Sequence, residues 1–386
     1  MILSRSTSLF TATLGTLGAF AFAACSSSAP NRSISGTGKT DGATTEVVDE
    51  EGEGGTPGGC TPNAGNFDFP GDNCDNDDDG NVDNPPSCDD ALDIDGDADE
   101  FAKALGLCHS SSSDTEWGVA SARYTSGYKA TSAPEDFQHG ILSKFGAVLT
   151  PTEGASLGVL STGYAREYND SKGKSAVFKG FNGQLFGAAG DLPAGYPKAA
   201  AGCEISTKFN NVAVTSLEIR VPNNAKGFSF DFNFFSSEWP EYVCTEFNDG
   251  FLAVLESEAF NGGSPENISF DAQGNPVSVN NGFFDRCTPN TKTCGDGKET
   301  LSACSGGEDE LKGTGYYNKG SYCDTSSTGG GATGWLTTSA PVKPGETIKL
   351  KFMIWNTGDT NYQSSVLLDN FRWEVGETVV GTDRPN

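Results

Sequence analysis

From Gly118 to the C-terminus the chain alternates. Phe228-Ser-Phe-Asp-Phe-Asn-Phe sets a ring at every second position, and Ala213 to Val221 and Ile348 to Trp355 show the same period. A period of two gives a strand one apolar and one polar face. Phe251 to Leu255 and Ser365 to Val375 read as further strands. Turn signals separate them: Pro222-Asn-Asn, Asn261-Gly-Gly, Asn281-Gly, Pro344-Gly and Thr357-Gly-Asp. Long helical periodicity is absent, and strands do not alternate with helices. The predicted fold is mainly β, an antiparallel β-sandwich or jelly roll. Long loops fill the excess length, with Cys287 to Cys323 as a stapled insertion before the closing strands.

Upstream the pattern changes twice. Asp99 to Leu107 is the best helix candidate: Phe101, Ala104 and Leu105 share a face, and Asp99 and Glu100 suit its N-terminal end. Ser26 to Gly59 is Ser, Gly, Thr and Glu with almost no large apolar residue. It buries too little to offset chain entropy and reads as a disordered tether. Met1 to Ala24 reads as an export signal, with Arg5 before an apolar stretch too short and interrupted for a membrane span. It ends in Phe22-Ala-Ala-Cys25, which is similar to a bacterial lipobox with Cys25 as the lipidated residue. The expected organisation is a signal peptide (1–24), a flexible tether (25–58), an acidic Cys-containing segment (59–103) and a sandwich domain (104–378).

Charge changes the picture next. The 386 residues carry 52 Asp+Glu and 25 Lys+Arg, a net of −27, which excludes nucleic acid as a partner. Between Ser26 and Cys108 there are 20 acidic and 3 basic residues, a net of −17. Within that stretch Asp75, Asp77, Asp79, Gly80, Asn81 and Asp83 follow the first nine positions of a calcium loop. Alternate carboxylates converge on one hard cation, and the glycine permits the turn between them. Pro86 stands where an EF-hand has its bidentate Glu, so the run is closer to the short Asp-rich repeats of thrombospondin type 3. Asp93, Asp95 and Asp97 form a looser second run. Calcium is the expected cofactor, rigidifying the segment into a semi-stiff stalk.

Eleven cysteines place the chain in an oxidising compartment. Without Cys25, ten remain: Cys60, Cys74, Cys88 and Cys108 early, and Cys203, Cys244, Cys287, Cys294, Cys304 and Cys323 late. Both groups are even, so each can close on itself in structural disulfides.

Catalytic constellations are thin. The two histidines, His109 and His139, accompany no nucleophile elbow. Glu238 and Glu241 flank Trp239-Pro240 and are the candidate pair for a polysaccharide hydrolase. They lie close together on one loop, which suits ligand binding or calcium better than two carboxylates facing each other across a sugar. Asp249, and Asp369 in the last long strand, are the candidate ligands of a calcium site in the sandwich. Trp239 is the expected exposed platform, with Tyr316, Tyr317 and Tyr322 as further exposed rings; Trp355 and Trp373 are expected in the core.

Gly154-Ala-Ser-Leu-Gly-Val-Leu-Ser-Thr-Gly, Phe232-Asn-Phe-Phe-Ser-Ser-Glu-Trp-Pro-Glu-Tyr-Val, Phe247-Asn-Asp-Gly-Phe and Tyr362-Gln-Ser-Ser-Val-Leu-Leu-Asp-Asn-Phe occur in that order. This series resembles the choice-of-anchor L domain of bacterial surface proteins, over roughly residues 104–378. The family usually has Tyr at the position of Trp239. The resemblance implies a surface or secreted context and no catalytic activity. The sequence therefore predicts a non-catalytic, lipid-anchored binding or adhesion protein, exported to the outer membrane or cell surface of a diderm bacterium. Its partners are the membrane through the lipid and a glycan or surface protein. The rival readings are the hydrolase and a structural coat component.

Overall fold

The computed structural model describes residues 60–113, 115–168, 190–240, 242–280, 282–288, 304–319 and 328–385. The export signal, Cys25, the tether, Glu241, Cys294, Tyr322 and Cys323 lie outside the described residues.

Helix α1 (Ala98–Ala104) is short because both its ends are fixed. The Asp97 carboxylate caps it, accepting the N–H groups of Asp99 and Glu100. At the other end Gly106 turns left-handed at φ 91°, and the Leu107 N–H returns to the Ala102 carbonyl at 3.0 Å. That turn ends the helix before the predicted Leu107.

The first six strands include those the alternation predicts, at Phe209–Arg220, Gly227–Ser236 and Gly250–Glu256, and two short ones it does not, at His139–Leu142 and Leu157–Ser161. They are β1 (Gly118–Thr125), β2 (His139–Leu142), β3 (Leu157–Ser161), β4 (Phe209–Arg220), β5 (Gly227–Ser236) and β6 (Gly250–Glu256). Six two-residue strands follow: β7 (Glu266–Asn267), β8 (Val277–Ser278), β9 (Arg286–Cys287), β10 (Asn318–Lys319), β11 (Thr328–Gly329) and β12 (Gly331–Ala332). The chain closes with β13 (Leu336–Pro341), β14 (Thr347–Thr357), β15 (Ser364–Glu374) and β16 (Gly381–Asp383). One sheet runs β1-β4-β14-β6-β7, with β8 also on β6. The other runs β16-β13-β5-β15-β3-β2, with β12 joining β5 to β9. Every pairing between these strands is antiparallel.

The core lies between the two sheets. Phe228, Phe230, Phe232 and Phe234 of β5 point into it and are fully buried. Phe230 meets Phe352 of β14 edge to face at 4.9 Å, and Phe232 meets Phe251 of β6 at 5.1 Å. Each such ring contributes about 1.5–3 kcal/mol through removal from water. The other face of β5 is buried too, beneath Phe145, Leu311 and Tyr316. The polar positions of its alternation are therefore buried polar groups that need partners. Ser229 donates to Glu374, and Asp231 accepts from Thr337 and Arg372.

The acidic segment belongs to this same body. Residues Thr56–Asn386 form one compact unit. Phe69, Phe101 and Leu105 are buried in the sandwich core. The Phe101 ring covers Gly158 of β3, where a Cβ would stand 2.5 Å from it. The expected boundary at residues 103 and 104 cuts through α1, and residues 60–108 pack against the sandwich instead of standing apart as a stalk. Four disulfides hold the described chain: Cys60–Cys74, Cys88–Cys108, Cys203–Cys244 and Cys287–Cys304. The four early cysteines pair among themselves.

Candidate functional site

Among the described residues, one group of carboxylates converges. Asp75, Asp77 and Asp79 bring ligand oxygens within 4.8 Å of one another. The turn is built by its own side chains. Asp75 accepts the N–H groups of Asp79 and Gly80 at 3.1 and 3.0 Å, and Gly80 takes φ 90°, open to glycine without strain. Asp68, fully buried, clamps both ends of the loop by accepting the N–H groups of Asn76 and Asn84. Burial, then the neighbouring Asp79, push the Asp77 carboxyl above its ordinary range. The Asn84 amide, followed by the Asn81 backbone N–H, holds Asp79 below its own. Three mutually repelling carboxylates, all oxygen donors, fit a hard cation such as calcium.

Two of the expected ligands work otherwise. Asp83 accepts the N–H groups of Gly71, Asp72 and Asn73 at 2.9, 3.0 and 3.1 Å, so it holds a backbone turn. Asn81 donates its side-chain amide to Asp79. The second run does not converge at all. Asp93 accepts the Asp95 N–H, Asp95 pairs with the buried Arg166, and Asp97 caps α1. The three carboxylates there are drawn to three different structural partners and share no site.

The sandwich holds a different arrangement. Glu238 and Asp249 are both buried, with the Asp249 N–H donating to Glu238 at 3.2 Å. Asp249 accepts from the Thr357 N–H at 2.9 Å and the Ser364 hydroxyl at 2.7 Å. Burial pushes both carboxyls well above their ordinary range, and for Glu238 the Asp249 charge is the next cause. Asn248 and Asn356 nearby each keep a buried amide oxygen without a hydrogen-bond partner. Asp369 does not join them. It lies five residues beyond Ser364 on β15, about 16 Å along an extended strand. It is buried there, and its carboxylate accepts from Thr152, Glu153 and Asn370. Burial pushes its pKa up to about 7.

Trp239 is no exposed platform. Its ring stacks on Phe284 at 5.0 Å and 21°, and its indole N–H is buried without a partner. Tyr316 is buried as well, donating to Ser365. Trp355 and Trp373 are buried as expected. Glu238, at 2% exposure, is closed to a polysaccharide. Both histidines stack on rings, His109 on Trp117 and His139 on Tyr124, and neither holds a nucleophile.

A two-sheet antiparallel sandwich with disulfide-bonded loops and an aspartate turn defines a surface-type β domain of an oxidising compartment. The family model of the choice-of-anchor L domain matches residues 128–371, and the chain belongs to that family. It is a family of surface-associated proteins and not an enzyme family. No curated protein and no solved structure matches the chain.

Proposed function

We infer that the chain is an exported, non-catalytic surface binding protein, anchored by lipid at Cys25, whose acidic segment is ordered by calcium at Asp75, Asp77 and Asp79. The convergence of those three carboxylates in a turn clamped by Asp68 carries the calcium reading. A cation there removes their repulsion and fixes the turn against the sandwich. Its role is then to brace the domain, since residues 60–108 pack on it. The buried pair is the second candidate: two carboxylates and the orphaned oxygens of Asn248 and Asn356 are all oxygen donors. The membrane, through the lipid, and a surface ligand are the partners of this reading.

Limited proteolysis in calcium and in chelator tests it. Calcium is expected to protect the chain from cleavage between Asp75 and Asn84, and Asp77→Asn to abolish that protection. Cys25→Ser is expected to move the protein from the membrane to the soluble fraction. Equal cleavage in both conditions removes calcium from the account, and unchanged membrane retention removes the lipid.

A further inference from the structure

A cleft of about 530 Å³ opens where the acidic segment meets the end of β15. Neither the aspartate turn nor the Glu238–Asp249 pair lines it. Its aromatic lining comes from three separate stretches: Phe67 and Phe69, Trp117, and Phe371 with Trp373. These rings meet edge to face. Phe67 and Trp117 lie 5.9 Å apart at 82°, Phe67 and Phe69 5.1 Å at 78°, and Phe371 and Trp373 5.0 Å at 82°. Perpendicular rings make adjacent walls of a box, whereas a sugar stacks on one open ring face.

The box is built before any ligand arrives. The Phe67 N–H and carbonyl both pair with the Asn224 amide, at 2.9 and 2.8 Å. The Phe371 N–H donates to the Leu105 carbonyl at 2.8 Å. The Cys88–Cys108 disulfide also lines the cleft.

Its charge is mainly acidic, although His109 also lines it, stacked on one face of Trp117 at 4.3 Å. Asp89, Glu153 and Glu374 line the cleft, and none forms an ion pair among the described residues. Arg372 is there too, but both its terminal nitrogens go to Asp231, at 3.2 and 3.3 Å. Asp89 accepts backbone N–H groups from Ala155 and Ser156, and Glu374 accepts the Ser229 hydroxyl. The Glu153 side chain accepts no hydrogen bond from the described residues. Glu153 is exposed, and partial desolvation, then Asp89, push its carboxyl above the ordinary range.

We propose that this cleft binds an organic cation on an apolar stem, of the kind a lysine or arginine side chain of a partner protein presents. The ring box takes the stem and the face of the cation, and Glu153 supplies the counter-charge. The net charge of −27 favours basic partners over long range. The proposal rests on the binding-module reading and gives that module a ligand class; calcium bears on it only by ordering the segment that carries Phe67 and Phe69.

Two of the five tryptophans, Trp117 and Trp373, line the cleft, so intrinsic fluorescence responds to its occupancy, and Trp117→Phe identifies the signal that comes from it. The full chain is titrated in calcium, and again in chelator, with N-acetyl-lysine amide, N-acetyl-arginine amide, spermidine, uncharged N-acetyl-norleucine amide and a neutral oligosaccharide. Saturable quenching by the lysine or arginine probe, weakened by added salt and absent with norleucine, is expected. Glu153→Gln should weaken that binding about two- to fivefold, the value of a solvent-exposed ion pair, with an unchanged melting temperature. Spermidine binding more tightly than either amino-acid probe would assign the site to a free amine and overturn the protein partner. Equal binding of norleucine and lysine, saccharide binding indifferent to Glu153→Gln, or no saturable change with any probe overturns the proposal. Failure in both calcium and chelator overturns the cleft and leaves the calcium reading to its own tests, whereas binding in calcium but not in chelator supports both.

Discussion

The aspartate turn and the buried carboxyl pair use the same functional group in opposite surroundings. In the turn, solvent and backbone N–H groups screen the carboxylates, with Asp77 held above its ordinary range and Asp79 below it. In the sandwich, two carboxylates sit out of water against each other, and both are held well above their ordinary range. Spacing brings charges together in the first case and tertiary folding does so in the second. On the proposed reading, a cation in the turn relieves repulsion at little cost. The raised carboxyls of the pair tie the stability of the sandwich to pH.

The sharpest way to break this comparison is to ask whether the two regions are one cooperative body. Phe101 is fully buried and lies between the acidic segment and β3. Phe101→Ala is expected to lower the stability of the whole chain by about 3–5 kcal/mol, in one transition of denaturant melts. A separate minor transition with an unchanged main one would return the acidic segment to the status of an appendage.

A smaller effect comes from Asp369. Its folded pKa of about 7 lies above its ordinary 3.8. A carboxyl raised on folding binds its proton more tightly in the native state, so its contribution is fully present below pH 3.8 and is lost as pH rises to about 7. At about 1.4 kcal/mol per pH unit, the wild type should lose a few kcal/mol across that window in chelator. Asp369→Asn is expected to flatten that slope in melting curves taken from pH 4 to 8. An identical slope in the variant refutes the assignment.

Glu238→Gln sharpens the contrast further. Removing one of the two confined carboxyls should stabilise the chain at pH 8 in chelator by about 1–3 kcal/mol, the cost of an unsatisfied buried charge. At pH 5, closer to the range in which the pair takes up protons, the gain should be smaller. Destabilisation at both pH values would mean that the pair is an ordinary hydrogen-bonded element.

Much of this was legible in the sequence, for local reasons. The period-two Phe run of β5, the alternations of β4 and β14, the N-terminal acidity of α1 and the Asp-x-Asp-x-Asp-Gly turn are all written in neighbouring residues. What escaped depends on contacts made across the fold. Asp83 fits the calcium pattern, yet its carboxylate meets three N–H groups ten to twelve residues back. Asp95 fits the second run, yet its partner Arg166 is far along the chain. Trp239 stands beside proline in a polar stretch, and Phe284 covers it. The aromatic cleft gathers rings from residue 67 to residue 373, which no window of sequence contains. Phe67 and Phe69, two rings in an otherwise acidic stretch, were the signal that this segment docks on something apolar.

Calcium titration of the oxidised chain by calorimetry, with melting curves in calcium and in chelator, tests the central claim most directly. The account predicts saturable binding, a rise in melting temperature with calcium concentration, and loss of both in Asp77→Asn. No heat and no shift in the wild type would reduce the aspartate turn to a solvated acidic surface and contradict the account.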